Sequence, residues 1–292
     1  MERTKNSRPD FILMSDIHLR ESTPVCRTDN YEQAQWDKLD YISELQKQYV
    51  CPILNAGDLF DHWKPSPNLL SMASQHIPDK FITVYGQHDL PQHNIKLVKK
   101  CGIYNLMING VVSVLQNGHW AQSLSDGRTG FILKNRQITV QHILTYKGKM
   151  PWPGCKDPTA LSLLKKYPQF DLIVTGDNHK TFVEEYKGRL LVNPGSMMRM
   201  DADQVDHKPC VFLYYAETNT IKIHYLPIQK NVISREHIDK KKERDERIDT
   251  FVSKLGAKWK VEMNFVQNLQ RFEKANNVNT ETMGIIYKSL EK

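Results

Sequence analysis

No stretch of the 292 residues approaches 18 consecutive apolar side chains, so nothing in the chain reads as a membrane-spanning helix. The N-terminus, MERTKNSRPDF, passes from polar residues directly into a strand-like run, without the apolar segment of a secretory signal. Cysteine is sparse: Cys26, Cys51, Cys101, Cys155 and Cys210 lie far apart, none in a C-x-x-C spacing, and an odd count is a poor disulfide framework. The expectation from these absences is a cytoplasmic protein whose thiols are reduced core residues or bystanders. With 40 Lys and Arg against 33 Asp and Glu, the formal charge of +7 admits an anionic partner without naming one.

What the chain does contain is a series of short apolar runs: FILM (11–14), PILNA (52–56), FITVY (81–85), QITVQ (137–141), DLIVT (171–175) and RLLV (189–192). Their length and their Ile, Val, Phe and Tyr content suit strands buried on both faces. The segments between them are long enough for helices, with residues 31–49 the best candidate and 66–76, 93–101 and 157–167 further ones. This alternation predicts an α/β architecture. PCVFLYY (209–215) and IKIHYLPI (221–228) read as a closing hairpin.

Beyond residue 231 the composition shifts, with 13 Lys/Arg and 10 Asp/Glu in residues 231–292. Ile248, Phe251, Val252 and Leu255 recur at helical spacing. So do Val261, Phe265, Leu269 and Phe272, then Met283, Ile286, Tyr287 and Leu290, with breaks at Gly256 and at Asn276-Asn277. The expected organisation is a main domain over 1–230 and a charged helical appendage over 231–292.

The residues that follow the apolar runs carry the chemistry: SDIH, GD, GQHD, His142, GDNH and NPGS. Ligands of α/β sheets bind beyond the carboxyl ends of the strands, so these six strand ends point to one shared site. Asp16, His18, Asp58, Gln87, His88, His142, Asp177 and His179 offer carboxylate, imidazole and amide donors without cysteine. That set suits Mn²⁺, Mg²⁺, Fe²⁺ or Zn²⁺ rather than a structural zinc cage. Eight donors are too many for one ion, and two divalent ions bridged by a carboxylate form a clamp for displacement at phosphorus.

In this order the motifs resemble the calcineurin-like metallophosphoesterase family, whose pattern is D-x-H, G-D-x-x-D, G-N-H-D, a lone His, and G-H-x-H. Here they stand as Asp16-Ile17-His18, Gly57-Asp58-Leu59-Phe60-Asp61, Gly86-Gln87-His88-Asp89, His142 and Gly176-Asp177-Asn178-His179, within residues 10–228. The resemblance implies a β-sandwich flanked by helices, four layers deep (αββα). It implies that Asp16, His18 and His179 hold one metal, that Asp58 bridges both, and that Gln87, His142 and Asp177 complete the second site. His88 would sit over the ions and donate a proton to the leaving alkoxide. Asp61 and Asp89 are read as carboxylates that orient the ligands or shape the turns.

Two positions depart from the pattern, both at the second metal: Gln87 replaces Asn, and Asp177 replaces the first His of G-H-x-H. An added carboxylate oxygen shifts preference toward Mn²⁺ or Mg²⁺ and makes that ion a weaker Lewis acid. The alternative is a degraded second site, weakly occupied. Of the other histidines, His62, His93, His119 and His207 are expected at the surface or in the core. Asn193-Pro-Gly-Ser196 is expected to form a tight turn at the rim, with Ser196 and Arg199 as candidates for substrate contact.

The metal-site pattern does not name the ester. The order D-x-H-L, helix, AGDLFD, GQHDLP is similar to SbcD-type nuclease subunits, whose phage-encoded relatives are of similar size. This implies a Mn²⁺-dependent DNA exonuclease or endonuclease, in the host cytoplasm if phage-encoded, with DNA, an SbcC-like SMC ATPase and a second copy of the chain as partners. Lys147, Lys149 and Trp152, in the loop TYKGKMPWPGCK, could meet a backbone and a base. The helices after residue 231 could dock on the ATPase, or could pack on their own domain. Two other readings stay open: a phosphodiesterase of nucleotides or other small diesters, and a binding subunit without catalysis.

Overall fold

The computed structural model describes residues 8–115, 122–123, 129–254 and 265–290. The chain divides into two compact units, Met1–Ser234 and Arg235–Lys292. In the first unit the strands are β1 (Phe11–Met14), β2 (Ile53–Asn55), β3 (Phe81–Thr83), β4 (Val112–Val114), β5 (Gln122–Ser123) and β6 (Thr129–Leu133). They continue with β7 (Arg136–Gln141), β8 (Leu172–Thr175), β9 (Phe182–Tyr186), β10 (Arg189–Asn193), β11 (Cys210–Tyr215) and β12 (Thr220–Tyr225). The helices of this unit are α1 (Tyr31–Tyr49), α2 (Pro67–His76), α3 (Gly102–Ile108) and α4 (Ala160–Lys166).

The strands form two six-stranded sheets, in the orders β12-β11-β1-β2-β3-β4 and β5-β6-β7-β8-β10-β9. Strand β1 shows why the apolar runs do not alternate. Ile12 and Met14 face the helix layer of Trp36, Leu39 and Ile42, while Phe11 and Leu13 face the second sheet at Val140, Leu172 and Val174. On the far side, Leu163 and Leu164 of α4 pack with Phe170 on Ile173 and Leu191. A strand buried on both faces reads as a continuous hydrophobic run. The result is the expected α/β architecture, two sheets flanked by helices.

Local sequence sets the helix limits. Asn30 caps α1 by accepting the Gln33 N–H, and the helix stops at Val50, which takes a left-handed φ of 50°. Ser66 caps α2 ahead of Pro67, a proline at the first helical position. The helix expected at 93–101 is instead a 3₁₀ segment, Ile95–Lys100. Gln92 and His93 both take positive φ before it, and the Asn94 side chain accepts the Lys96 N–H, a local bond that competes with α-helical hydrogen bonding. Helix α3 follows, unanticipated because it is short and opens with glycine.

The second unit holds α5 (Glu236–Lys254), α6 (Phe265–Asn276) and α7 (Thr280–Leu290). Helix α6 ends at Asn276, and Asn277 takes a left-handed φ of 47°. Leu255, Gly256 and Val261, like His119 in the first unit, lie outside the described residues. No helix among the described residues is long and apolar enough to cross a membrane.

Candidate metal centre

Strands β1, β2, β3, β7 and β8 each end in one of the polar motifs, and the two sheets bring those ends together. Ser15, after β1, bridges to Ser196 after β10, and the Met197 N–H donates to Asp16 O at 3.1 Å. Three overlapping groups of side chains place their ligand atoms within 4.8 Å of one another: Asp16, His18 and His179; His18, Asp58 and His88; Asp16, Asp58 and His142. Gln87 and Asp177 complete the cluster at its edge. The Gln87 Nε2 donates to Asp177 Oδ1 at 2.7 Å, and Asp177 Oδ1 lies 4.0 Å from His142 Nε2.

The backbone is bent to achieve this. Asp16, His18, Asp58 and Asp177 all take positive φ, at 50°, 50°, 51° and 72°. Non-glycine residues seldom do so, and strain of this kind persists where surrounding structure over-determines it. Two glycines make room. Gly57 has φ +98°, and a Cβ there would stand 2.6 Å from His142 Nδ1. A Cβ on Gly86 would overlap the Asp58 carboxylate. The G-D and G-Q-H-D spacings are therefore requirements of close packing around two side chains.

The donor atoms fit a cation. Asp16 Oδ2 is buried with no hydrogen-bond partner. His142 Nδ1 donates to Ala56 O at 2.7 Å, which aims Nε2 at Asp58 Oδ2, 3.1 Å away. His18 Nε2 and His179 Nε2 face each other at 3.2 Å. Buried lone pairs converging without enough donors between them lack stabilisation until a cation supplies it.

Electrostatics carry the same sign. Burial pushes the Asp16 carboxyl above its ordinary range and lowers His18 to about 3. For Asp58, burial is outweighed by the rings of His142, His18 and His88, and its carboxyl sits below the usual value. For His142, burial opposes the charge, but the Asp58 carboxylate holds the ring up to about 9. A proton on His142 thus occupies the place a metal would take, since metal binding displaces protons from its ligands.

The supporting carboxylates have separate tasks. Asp89 is buried and accepts the N–H groups of Gly86 (2.9 Å), Phe60 (3.0 Å) and Leu59 (3.3 Å), tying the GQHD turn to the strand end that carries Asp58. Burial first, then the Asp58 charge, raises it to about 7. Asp61 lies 3.7 Å from His18 Nδ1 and pairs with Arg20 at 3.2 Å. His88 is exposed; its Nδ1 donates to Asp61 O at 2.9 Å, and one of its ring nitrogens lies within 4.8 Å of ligand atoms of His18 and Asp58.

Residues 10–218 match the family model for the calcineurin-like phosphoesterase superfamily domain. The chain belongs to this superfamily. Its members typically bind divalent metal ions, and the cluster just described is this chain's candidate set of ligands for them. No curated protein matches the sequence. Among solved structures, it is similar to a novel archaeal phosphodiesterase, at 14% identity over 74% of this chain and 99% of that one, with a TM-score of 0.44. It is also similar to Vacuolar Protein Sorting 29 from Cryptosporidium parvum, at 16% identity over 77% and 100% of the two chains, TM-score 0.38. A predicted phosphoesterase from Streptococcus pneumoniae TIGR4 aligns at 14% identity over 76% and 99%, TM-score 0.34. At these scores the assignment of the superfamily rests on the family match.

Around this phosphoesterase centre, a cleft of about 940 Å³ opens from Asp177 and His179 between the edge strands β9 and β12, with Trp152 and Tyr225 on its walls. Trp152 is half exposed there. Lys149 is exposed, whereas Lys147 donates to Val183 O at 2.7 Å and lies 3.3 Å from Glu184. Ser196 and Arg199 spend their polar groups on backbone: Ser196 Oγ donates to Met198 O, and the Arg199 guanidinium to Val205 O and Gln229 O. His207 is partly buried, its ring against Ser196 O. The sequence reading did not anticipate the buried network of Thr175, Asn193 and Asn178. Asn193 donates to Asn178 O and Lys180 O, while Asn178 donates to Thr145 O, so the loop bearing Asp177 and His179 hangs on two amides. The signal available was an asparagine at the end of an apolar strand.

Proposed function

We propose that this phosphoesterase is a Mn²⁺-dependent phosphodiesterase that cleaves DNA, in the manner of SbcD-type nuclease subunits. The observation that carries the reading is the convergence of Asp16, His18, Asp58, His142 and His179, with buried lone pairs lacking partners, at strand ends whose motifs run in the order of those nucleases. Divalent ions bound there would polarise the phosphoryl oxygens and acidify the attacking water. The Gln87 and Asp177 oxygens would enrich one side of the centre in hard donors, which supports Mn²⁺. As an imidazolium, the His88 ring, tethered through its Nδ1–H to Asp61 O, would give its Nε2 proton to the leaving oxygen and remain as the Nδ1–H neutral ring. The net charge of +7 favours a polyanionic substrate. Exposed apolar residues of the second unit, Ile248 and Ile285, support docking of its helices on an ATPase partner.

The test is hydrolysis of end-labelled single-stranded and duplex DNA in Mn²⁺ by the wild type beside Asp58→Asn. Mn²⁺-dependent cleavage that Asp58→Asn abolishes is expected. Intact DNA under all conditions, with and without the ATPase, would sink the proposal. A second reading, hydrolysis of a nucleotide or other small diester, is favoured by the cleft's Asp201, Asp203 and Asp206, which outnumber Lys180 and Lys208 in its lining and oppose a long phosphate backbone. It predicts fast turnover of a small ester with little dependence on salt.

A further inference from the structure

A basic pocket of about 180 Å³ lies outside the metal-ligand cluster. Arg27, from the loop before α1, Lys38, from α1 itself, and Arg199, beyond the Ser196 turn, line it, and Met198 and residues 227–229 close it. The three cations are nine-tenths buried or more, at 9%, 8% and 6% exposure. Arg27 is neutralised by Asp29, which accepts from its Nε at 2.8 Å and from one terminal nitrogen at 2.6 Å.

Among the described residues, Lys38 and Arg199 make no ion pair. Lys38 Nζ donates to Met197 O at 3.0 Å, and Arg199 donates only to the carbonyls of Val205 and Gln229. Asp37, on the rim, is exposed and accepts from Gln33 at 2.8 Å. Carbonyl dipoles solvate a buried cation without cancelling its charge, and two such cations repel each other across a low dielectric. Burial first, then the Arg27 and Arg199 charges, lower the Lys38 ammonium to about 7, with Asp29 opposing the shift in part. Asp29, already paired with Arg27, offsets the charges of Lys38 and Arg199 only in part, and an anionic ligand between them would supply the rest.

We propose that this pocket binds a doubly charged tetrahedral oxyanion, inorganic phosphate or a terminal phosphomonoester, clamped between the Lys38 ammonium and the Arg199 guanidinium. Its volume falls below the range of sites for nucleotide-sized ligands, so the phosphoryl group enters and any attached nucleoside stays outside. The fork of a guanidinium beside the point charge of an ammonium is a suitable pair for such an anion. Lys38 holds Met197 O, and the Met197 N–H holds Asp16 O. One residue, Met197, thus links the anion clamp to a candidate metal ligand. Cleavage of a phosphodiester leaves a phosphomonoester, so the pocket matches the product class of the proposed reaction while standing independently of it.

Calorimetric titration of the full-length, metal-loaded protein with inorganic phosphate, at ionic strength fixed with NaCl, tests the proposal. We expect a phosphate site that Lys38→Met weakens at least tenfold and that His142→Ala, in the metal cluster, leaves in place. Competition by thymidine 5′-monophosphate at that site identifies a monoester ligand; its failure identifies inorganic phosphate. Unchanged binding in Lys38→Met, or loss of all binding in His142→Ala, overturns the proposal. Should Lys38→Met not fold, wild-type crystals soaked in selenate decide: anomalous density between Lys38 and Arg199 supports the site, and its absence there refutes it.

Discussion

Gln87 donates from Nε2 to Asp177 Oδ1 at 2.7 Å, so the two residues that depart from the family pattern are partners, 90 positions apart. The hydrogen bond commits the amide nitrogen and leaves the Gln87 oxygen as the donor available to a metal. Relative to the family pattern the amide is longer by one methylene and a carboxylate stands in the place of an imidazole, and the hydrogen bond joins the two departures.

A paired exchange predicts coupling. Gln87→Asn and Asp177→His should each weaken binding of the second Mn²⁺, and the double variant should bind better than the product of the two effects implies. Contacting residues couple by about 0.5–3 kcal/mol, roughly 2- to 150-fold in affinity. Calorimetric Mn²⁺ stoichiometry and affinity for the four proteins checks this, and simple additivity would contradict a shared design. Asp177→His should also move preference toward Zn²⁺.

Much of the scaffold was legible because strands buried on both faces announce themselves. FILM is β1 to the residue, and the other five runs differ from their strands by only one or two residues at an end. Edge strands were harder to see: β9 reads FVEEY, with partly exposed side chains and no apolar run. The ligand-type residues were legible as motifs, but their meeting was not, since Asp16 and Asp177 come together only when two sheets stack. Of the pocket's three cations only Arg199 stood out in the sequence, as a candidate for substrate contact; Arg27 and Lys38, in polar stretches, look like surface until their burial is known.

His88 stands apart from the other members of the cluster in being exposed, with one nitrogen tied to Asp61 O. Replacement by Ala should lower the rate of diester hydrolysis by about 10²–10⁴-fold, the usual contribution of a general acid. Metal content, read by atomic absorption, should stay at the wild-type value. A fall in metal content together with rate would instead make His88 a ligand beside His18 and Asp58, with which it shares a group.

Lys38 predicts a pH dependence of stability. Its folded value of about 7 lies below the ordinary lysine value of 10.5. Between these two pH values the unfolded chain carries a proton that the folded chain lacks, so stability rises with pH, by up to about 1.4 kcal/mol per unit. Below pH 7 both states are protonated, and the penalty from burial and then from Arg27 and Arg199, partly relieved by Asp29, is present in full. Denaturant titrations in phosphate-free buffer at pH 6.5, 8 and 9.5 should therefore show a steeper rise for the wild type than for Lys38→Met. Equal slopes would mean that Lys38 stays charged throughout.

The cleft beside the metal centre makes Trp152 a testable stacking platform for a substrate base. The indole is half exposed on a wall leading away from Asp177 and His179, with Tyr225 also lining the space. A base flanking the scissile phosphate would find a stacking partner there, and stacking on an aromatic side chain contributes about 1–3 kcal/mol per base. Trp152→Ala should then raise KM for single-stranded DNA by about 5- to 150-fold and leave kcat nearly unchanged, because the lost contact is made equally in ground and transition states. The same substitution should leave hydrolysis of a diester without an aromatic group untouched. If both substrates lose activity alike, Trp152 supports the loop that carries it, and the base-stacking role is excluded.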